Sequence, residues 1–317
     1  MTVQGKAAWA NFAALILVNL MWAAQYPAYK IAGDTMGAAA LNFWTLIFAS
    51  VLLVPLWLRE RQKKKSERKT FEWKTLREYL VLGLLGIIPP SVMLSWGIAH
   101  SSASNAAILS LTIPVLMTAL GFLMLGEKLT LIRICCLALG LVGTLLVSIS
   151  DLAQASLGRG LLLGNFVILI GGLGSAFYNT YSKDLLSRYS ELEVLTYSYA
   201  VGAVGCAVIS AAFEARPFYF VTGYSSATWL AIAVLGILSW GLAMILWMWV
   251  LNRLDVGQVS TSIYLLPLFG LILSVATVHE RIALPQILGG VLTLAGTATL
   301  TLFEGRRAAQ LAKSGSN

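Results

Sequence analysis

The sequence predicts an all-α polytopic membrane protein with ten transmembrane helices, arranged as two inverted-topology five-helix repeats. Three observations predict it: hydrophobic residues make up 58% of the chain and charged residues 11%, the mean hydropathy is +0.80, and motifs recur at one fixed offset. Soluble domains carry roughly 25% charged residues. This composition therefore excludes a soluble enzyme, a secreted disulfide scaffold and a nucleic-acid-binding protein.

The predicted spans are apolar segments of about 20 residues, the length that crosses the hydrocarbon core of a bilayer. Glycine, proline or charged residues separate each segment from the next. The ten spans are 11–31, 38–58, 76–99, 104–125, 131–150, 160–182, 192–213, 227–251, 257–278 and 284–303. The long polar segment 59–75 is predicted to be a basic cytoplasmic loop.

Lysine and arginine residues predict how the chain is oriented. With the N-terminus inside, 18 of the 22 Lys and Arg residues fall in cytoplasmic connections and 4 fall outside. Membrane proteins carry an excess of positive charge on the cytoplasmic side. Both termini are therefore predicted to be cytoplasmic.

The chain reads as a duplicated unit when it is shifted against itself by 153 positions. The matching features include Pro114 with Pro267, Glu127-Lys128 with Glu280-Arg281, and Lys30 with Lys183. The predicted repeats are 1–150 and 151–317. Because each repeat has an odd number of spans, the second is expected to cross the membrane in the opposite sense. Inverted repeats are typical of secondary transporters, whose substrate sites lie near the midplane between the repeats.

Two patterns resemble one known family. Each repeat closes its fourth helix with Pro-x12-Glu-Lys/Arg, and Trp22 is followed by Ala-Ala-Gln-Tyr-Pro-Ala-Tyr-Lys30. Over about residues 12–304 the chain resembles the EamA-type ten-helix transporters of the drug/metabolite transporter (DMT) superfamily. The resemblance implies a carrier of small metabolites, often an exporter of amino acids, in a bacterial inner membrane. It implies no single substrate, because members with this framework carry different cargo.

The positions of the charged residues limit mechanism and cargo. All fourteen acidic residues fall at or beyond predicted helix ends, whereas a carboxylate at mid-membrane would indicate proton transfer. Small multidrug members of the superfamily carry a glutamate within helix one, where this chain has Trp22 and Gln25. No Lys or Arg lies at mid-membrane to hold a phosphate. These features favour a small neutral or zwitterionic substrate and indicate no intramembrane proton-coupling carboxylate.

Aromatic, amide and hydroxyl residues toward the membrane interior are the candidate substrate-binding residues. They are Trp22, Gln25, Trp96, Ser110, Tyr178, Asn179, Trp240 and Tyr264. Their ring faces suit stacking or cation–π contact. The structural alternatives are interfacial aromatic belts and hydrogen bonds between helices, and these stay open.

Charged residues near helix ends are candidates for gating. They are Lys30, Glu127, Lys128, Lys183, Glu280 and Arg281. One interpretation is that they pin helix ends at the interface, and the other is that they form ion pairs that close each side in turn. Lys30 and Lys183 are expected to end their helices with the ammonium group at the interface.

The favoured function is alternating-access export of a small metabolite. The alternatives are a proton-coupled exporter of drugs or organic cations and, less favoured, a receptor or scaffold without transport. An intramembrane enzyme is disfavoured, because no paired carboxylates, metal cluster or activated nucleophile occur at membrane depth. No cofactor, metal or nucleic acid is expected; the expected partners are the substrate and the lipid bilayer, and a homodimer is left open.

Overall fold

The computed structural model describes residues 3–63, 73–125, 158–253 and 261–279, with scattered helical positions between 131 and 142 and between 284 and 299. Regular structure within these residues is helical throughout. The α-helices are α1 Val3–Ala23, α2 Gln25–Gly33, α3 Ala38–Lys63, α4 Trp73–Gly86, α5 Leu94–His100, α6 Ala103–Leu109, α7 Ile113–Leu125, α8 Gly158–Leu186, α9 Glu191–Phe213, α10 Ser226–Ala233, α11 Ala243–Arg253 and α12 Leu265–Val278.

Six stretches of the described chain are long and apolar enough to cross a membrane. They are Ala38–Lys63, Trp73–His100, Ala103–Met124, Gly160–Leu186, Glu191–Phe213 and Ser226–Asn252. Each overlaps one predicted span. The predicted spans at 11–31 and 257–278 contain described helices that are not among these six, and those at 131–150 and 284–303 fall largely outside the described residues. The total of ten therefore stays a prediction.

Within the described residues, four short segments of the predicted spans are helical but not α-helical. Two are π-helical, Pro89–Met93 and Val234–Leu242, and two are 3₁₀-helical, Ser110–Thr112 and Thr261–Tyr264. The first follows from Pro89 and Pro90, which lack an amide hydrogen and crowd the preceding turn. The π segments lie in the third and eighth predicted spans, and the 3₁₀ segments in the fourth and ninth. These segments therefore occupy equivalent spans of the two repeats.

Helix packing follows the same equivalence. Helix α8 packs against α5 and α7, while α1 packs against α11 and α12. A shift of 153 residues carries α1 onto α8, α5 onto α11 and α7 onto α12. Helix α3 packs along α9, its own equivalent. The two halves therefore interlock and share one core.

Large aromatic side chains fill that core, and each polar group on them has a partner. Tyr29, Tyr79, Tyr199 and Trp247 are at most 1% exposed. Their hydroxyl or indole N–H groups all donate hydrogen bonds to a neighbouring helix or segment. Burying such a group without a partner would cost free energy. These bonds therefore also fix the positions of neighbouring helices relative to each other.

The bundle has two ends, which are called the Glu214 end and the Arg188 end. The Glu214 end comprises the junction from α2 to α3 at 33–38, the turn at 101–102 and the segment 214–225. The Arg188 end comprises the C-terminus of α3, the N-terminus of α4, the turn at 187–190 and the C-terminus of α11.

Candidate functional site

A cavity lies between the two halves of the bundle. It holds about 900 Å³ of empty space including its open mouth, and none of the described residues that line it is charged. All four of the π- and 3₁₀-helical segments reach it, through Pro90, Ser110, Trp240 and Ile263. Broken helices in membrane transporters commonly surround the substrate site.

The cavity wall is built from equivalent positions of the two repeats. Fourteen of the 21 lining residues form seven pairs separated by 153: Trp22/Ser175, Gln25/Tyr178, Tyr26/Asn179, Gly86/Ser239, Ile87/Trp240, Ser110/Ile263 and Ile113/Leu266. The side chain differs within every pair. The backbone of the wall is therefore duplicated, whereas its chemistry is not.

The structure brings most of the predicted binding residues to this cavity. Six line it: Trp22, Gln25, Ser110, Tyr178, Asn179 and Trp240. Trp96 is not among the lining residues; its ring stacks on His100 with centroids 3.8 Å apart. The backbone of Tyr264 lies in the 3₁₀ turn beside Ile263, which lines the cavity, but its side chain lies outside the described part of the chain. Substrate contact by all eight residues stays a prediction.

Tyr26 and Ser110 form a hydroxyl pair in the cavity wall. Their oxygens are 2.6 Å apart, and the Ser110 hydroxyl also donates to the carbonyl of Ala106 at 2.8 Å. Because serine has one hydroxyl proton, Tyr26 is the donor within the pair.

Asn179 uses its amide to build the wall. Its Nδ2 donates to the carbonyl of Ser175 at 2.9 Å, and its Oδ1 accepts from the indole of Trp247 at 3.0 Å. Trp247 in turn packs on Trp22 with ring centroids 4.8 Å apart. Sequence reasoning missed Trp247; its heptad-like spacing from Trp240 was the available signal.

The Trp240 side chain is held from behind the wall. Its indole N–H donates to the hydroxyl of Tyr29 at 3.0 Å, and its backbone carbonyl accepts from Tyr199 at 2.8 Å. The neighbouring Ser239 donates to the carbonyl of Met21 at 2.7 Å. These bonds attach the second π segment to both the first and the second repeat.

Gly86 lets Tyr178 pack closely against α4. A Cβ atom at Gly86 would lie 2.9 Å from Cδ2 of Tyr178 and 3.2 Å from its Cα. Tyr178 is 3% exposed and its hydroxyl lies 3.4 Å from Ser198. Gly86 therefore sets how far the Tyr178 ring stands from the cavity.

Glu214 closes one end of the bundle. Its carboxylate accepts from the backbone amides of Ala39 at 2.7 Å and Ala40 at 2.9 Å, at the start of α3. The Ser210 hydroxyl donates to the same carboxylate at 2.7 Å. A negative group at a helix N-terminus satisfies unpaired amides and the helix dipole. At the same end the Trp44 indole donates to the carbonyl of Phe218 at 2.9 Å.

Arg188 closes the other end. Its guanidinium bonds Glu78 at 2.7 Å and Asp184 at 2.6 Å, and the Tyr189 hydroxyl donates to Glu78 at 3.1 Å. The hydrogen bond to Glu78 raises the pKa of Arg188 above its already high ordinary value. The raised pKa keeps the Arg188 guanidinium charged, so the arginine's share of this stabilisation is fully present below its ordinary pKa and is lost only as pH rises through the raised one. Its contribution is therefore constant across physiological pH.

Two predicted helix-end lysines bond to backbone carbonyls at the ends of neighbouring helices. Lys30 and Lys183 lie in the last turns of α2 and α8. Lys30 donates to the carbonyl of Ser101 at 3.4 Å, and Lys183 to that of Leu251 at 2.9 Å. Both acceptors lie at the ends of equivalent helices, α5 and α11, where unpaired carbonyls attract a cation. Their position relative to the membrane interface stays a prediction.

The other four predicted gating residues, Glu127, Lys128, Glu280 and Arg281, lie outside the described residues. Their role stays a prediction. Within the described ranges, no cluster of three or more His, Cys, Asp or Glu side chains could hold a metal ion.

Comparison with known proteins shows the family to which this two-repeat chain belongs. The model of the EamA-like transporter family matches residues 9–149 and 162–302. The chain belongs to the EamA-like transporter family. The differences 162 − 9 and 302 − 149 are both 153, the offset that pairs the cavity residues. This EamA protein is a multi-pass transmembrane transporter.

Individual relatives span nearly the whole EamA chain. The "Uncharacterized transporter YoaV" of Bacillus subtilis is 24% identical and aligns over 92% of this chain and 97% of its own length. The "Probable terminal-alkyne amino-acid exporter" of Streptantibioticus cattleyicolor is 28% identical over 92% of each chain. A solved crystal structure, 18% identical, aligns with a TM-score of 0.65 over 94% of this chain and 98% of its own. That last likeness shows the fold alone.

Proposed function

We propose that this EamA transporter exports small neutral or zwitterionic metabolites, such as amino acids, across the bacterial cytoplasmic membrane by alternating access. One observation carries the proposal: a cavity whose described lining has no charged residue and consists largely of residue pairs from the two repeats. One relative is named a probable exporter of terminal-alkyne amino acids, which supports amino acids as the first class to test.

The cavity chemistry favours cargo without net charge. An ion taken from water into a wall without a counter-charge loses its hydration free energy. A phosphate would need an arginine or lysine partner, and none lines the cavity among the described residues. Indole and phenol faces at Trp22 and Tyr178 supply apolar contact, while Gln25 and the Tyr26–Ser110 pair supply hydrogen bonding.

The positive-inside count supports placing the Arg188 end in the cytoplasm and the Glu214 end outside. Cysteine labelling in intact cells tests this arrangement and the inversion of the repeats. Cysteines at positions 128 and 281 should react from opposite sides of the membrane. Labelling of both from the same side would contradict the inversion.

The contacts at the two ends suit alternating access. Glu214 joins α9 of the second repeat to α3 of the first, and Arg188 joins the 187–190 turn of the second to α4 of the first. Opening either end requires breaking one set of contacts between the repeats while the other set stays closed. Two closures built from different chemistry can be opened one at a time.

Substrate counterflow in proteoliposomes tests the transport proposal. Vesicles loaded with unlabelled L-propargylglycine, a terminal-alkyne amino acid, should accumulate the labelled compound transiently. Trp22→Ala should lower this rate at least ten-fold, whereas Trp73→Ala is the matched control, because Trp73 is 75% exposed and distant from the cavity lining. Specific binding without counterflow would instead favour a receptor.

The same vesicles test energy coupling. We expect that a pH gradient alone drives no uphill accumulation, because no carboxylate lines the described cavity. Strong accumulation driven by the gradient would support the alternative, a proton-coupled exporter.

A further inference from the structure

The indole of Trp240 ends a chain of buried hydrogen bonds that begins on α3. Its N–H donates to the Tyr29 hydroxyl at 3.0 Å, and that hydroxyl donates to Oδ1 of Asn42 at 2.9 Å. Tyr29 and Asn42 are 0% exposed and do not line the cavity. Of these three hydrogen-bonded residues, Trp240 is therefore the one that lines the cavity.

The direction of every bond in this chain is set at Asn42. Its Nδ2 donates to the backbone carbonyls of Ala38 at 2.8 Å and Ser91 at 3.1 Å. Carbonyls can only accept, so the NH₂ group must face them and Oδ1 must face Tyr29. The Tyr29 hydroxyl must then donate to Asn42, which leaves its oxygen to accept from the Trp240 indole.

The Trp240 indole N–H is thus bonded to the buried Tyr29 hydroxyl and not to a group in the cavity. Trp240 presents its ring to the cavity, and its donor is turned away from the substrate. Without Tyr29, the N–H would need another acceptor, and a substrate oxygen is one that the cavity can supply.

The second half of the molecule provides an internal comparison. At the offset of 153, Asn42, Tyr29 and Trp240 correspond to Leu195, Ser182 and Ile87. These three are also at most 1% exposed. Ser182 donates within its own helix to the carbonyl of Asn179, and leucine and isoleucine have no group to continue a chain. The fold that the two repeats share therefore does not require these hydrogen bonds.

We propose that Asn42 and Tyr29 are positioning residues for substrate selection, which orient the Trp240 indole so that the cavity favours apolar over polar side chains of the cargo. The selectivity rests on the proposed transport function, but the orientation of the indole does not. The two can therefore be tested separately.

The orientation is tested by nuclear magnetic resonance of the full-length protein with nitrogen-15-labelled tryptophan. The chain has ten tryptophans, and Trp240→Phe identifies the Trp240 indole signal. Tyr29→Phe should move the Trp240 indole proton upfield and speed its exchange with deuterated water. Asn42→Leu, the residue of the equivalent position, should move the same signal although it does not touch the ring.

A double variant shows whether Asn42 acts on Trp240 through Tyr29 or whether the two residues act on it independently. Because Asn42 acts through Tyr29, the Tyr29→Phe/Asn42→Leu signal should match that of Tyr29→Phe alone. Tyr199→Phe is the matched control, since it removes a buried hydroxyl from the Trp240 backbone carbonyl and leaves the indole N–H bonded. Asn42→Ala replaces Asn42→Leu if the leucine variant does not fold.

Selectivity is tested with L-propargylglycine and L-serine as competing probes in proteoliposomes. Tyr29→Phe should raise KM for propargylglycine and leave kcat nearly unchanged. The ratio of kcat/KM for propargylglycine to that for serine should fall about five-fold, the effect of one neutral hydrogen bond.

An unmoved Trp240 signal in the Asn42 variants would overturn the proposal, as would an unchanged selectivity ratio in a transporting Tyr29→Phe protein. If the wild-type protein transports neither probe while the indole signal moves as expected, the positioning role is supported and the proposed amino-acid function fails.

Discussion

At the scale of single residues, the polar groups of the cavity wall are of two kinds. Some are hydrogen-bonded to other protein groups, and others can bond the substrate. Both polar atoms of the Asn179 amide are bonded within the wall, as is the Trp240 indole N–H. The Tyr26 hydroxyl is different, because it donates to the Ser110 hydroxyl and both residues line the cavity. Tyr26 is therefore a hydroxyl that can exchange its bond to Ser110 for a bond to the substrate.

Removing that hydroxyl should weaken substrate binding more than folding. Tyr26→Phe should cost about 1 kcal/mol of unfolding free energy, because Ser110 keeps its bond to Ala106. KM for a bound amino acid should rise several-fold in counterflow assays. Tyr219→Phe is the control, since Tyr219 is 65% exposed. An unchanged KM in Tyr26→Phe would show that the hydroxyl pair serves the wall alone.

At the scale of helices, the closest approach at the cavity depends on a missing side chain. Gly86→Ala would place a methyl group 2.9 Å from the Tyr178 ring and 3.2 Å from its backbone. Backbone cannot yield as a flexible side chain can, so we expect a loss of about 1–3 kcal/mol of stability. The displaced ring should also narrow the cavity and lower the transport rate.

The control for this substitution lies in α8. A Cβ atom added at Gly160 would meet no neighbouring atom of the described residues within 4 Å, so Gly160→Ala should raise helix stability by up to about 1 kcal/mol. Thermal unfolding of both variants in detergent measures the contrast. Equal melting temperatures for the two variants would contradict the close-packing argument.

The start of α3 depends on a carboxylate from another helix. Glu214→Ala should remove the acceptor for two first-turn amides and cost about 1–2 kcal/mol, the usual effect of losing an N-terminal cap. Asp34→Asn is the control, because Asp34 is exposed at the end of α2. Chemical unfolding in detergent measures both, and a Glu214→Ala protein as stable as Asp34→Asn would refute the capping role.

At the scale of the whole molecule, the interlocked halves must shift relative to each other if transport occurs by alternating access. The hydroxyls of Thr35 and Thr228 lie 3.2 Å apart at the Glu214 end and belong to different repeats. Their replacement by cysteines, in a background without the native cysteines, should allow a disulfide that stops counterflow. Reduction should restore it.

Each single-cysteine protein is the control for this experiment, because it carries the substitution without the crosslink. Full counterflow with the disulfide formed would mean that the Glu214 end does not open during transport.

Much of the fold followed from the sequence because hydropathy and repeat spacing are properties of the chain itself. Six predicted cavity residues reached the cavity, and the offset of 153 would also have found Tyr26 and Ser175 as the equivalents of Asn179 and Trp22. Trp96 differs because it lies two residues beyond Leu94, on another face of α5 after the π segment. Tyr29 and Asn42 were missed because their function depends on hydrogen bonds between distant helices, which periodicity does not reveal.

The doubled wall suggests how such a protein acquires new cargo. A gene that holds two versions of each wall position can change the side chain in one repeat and leave the equivalent position of the other repeat unchanged. Exchanging Gln25 with Tyr178, or Trp22 with Ser175, would move a chemical feature to the opposite side of the cavity with little change in total volume. A small library of such exchanges would be an economical starting point for redirecting what this protein carries.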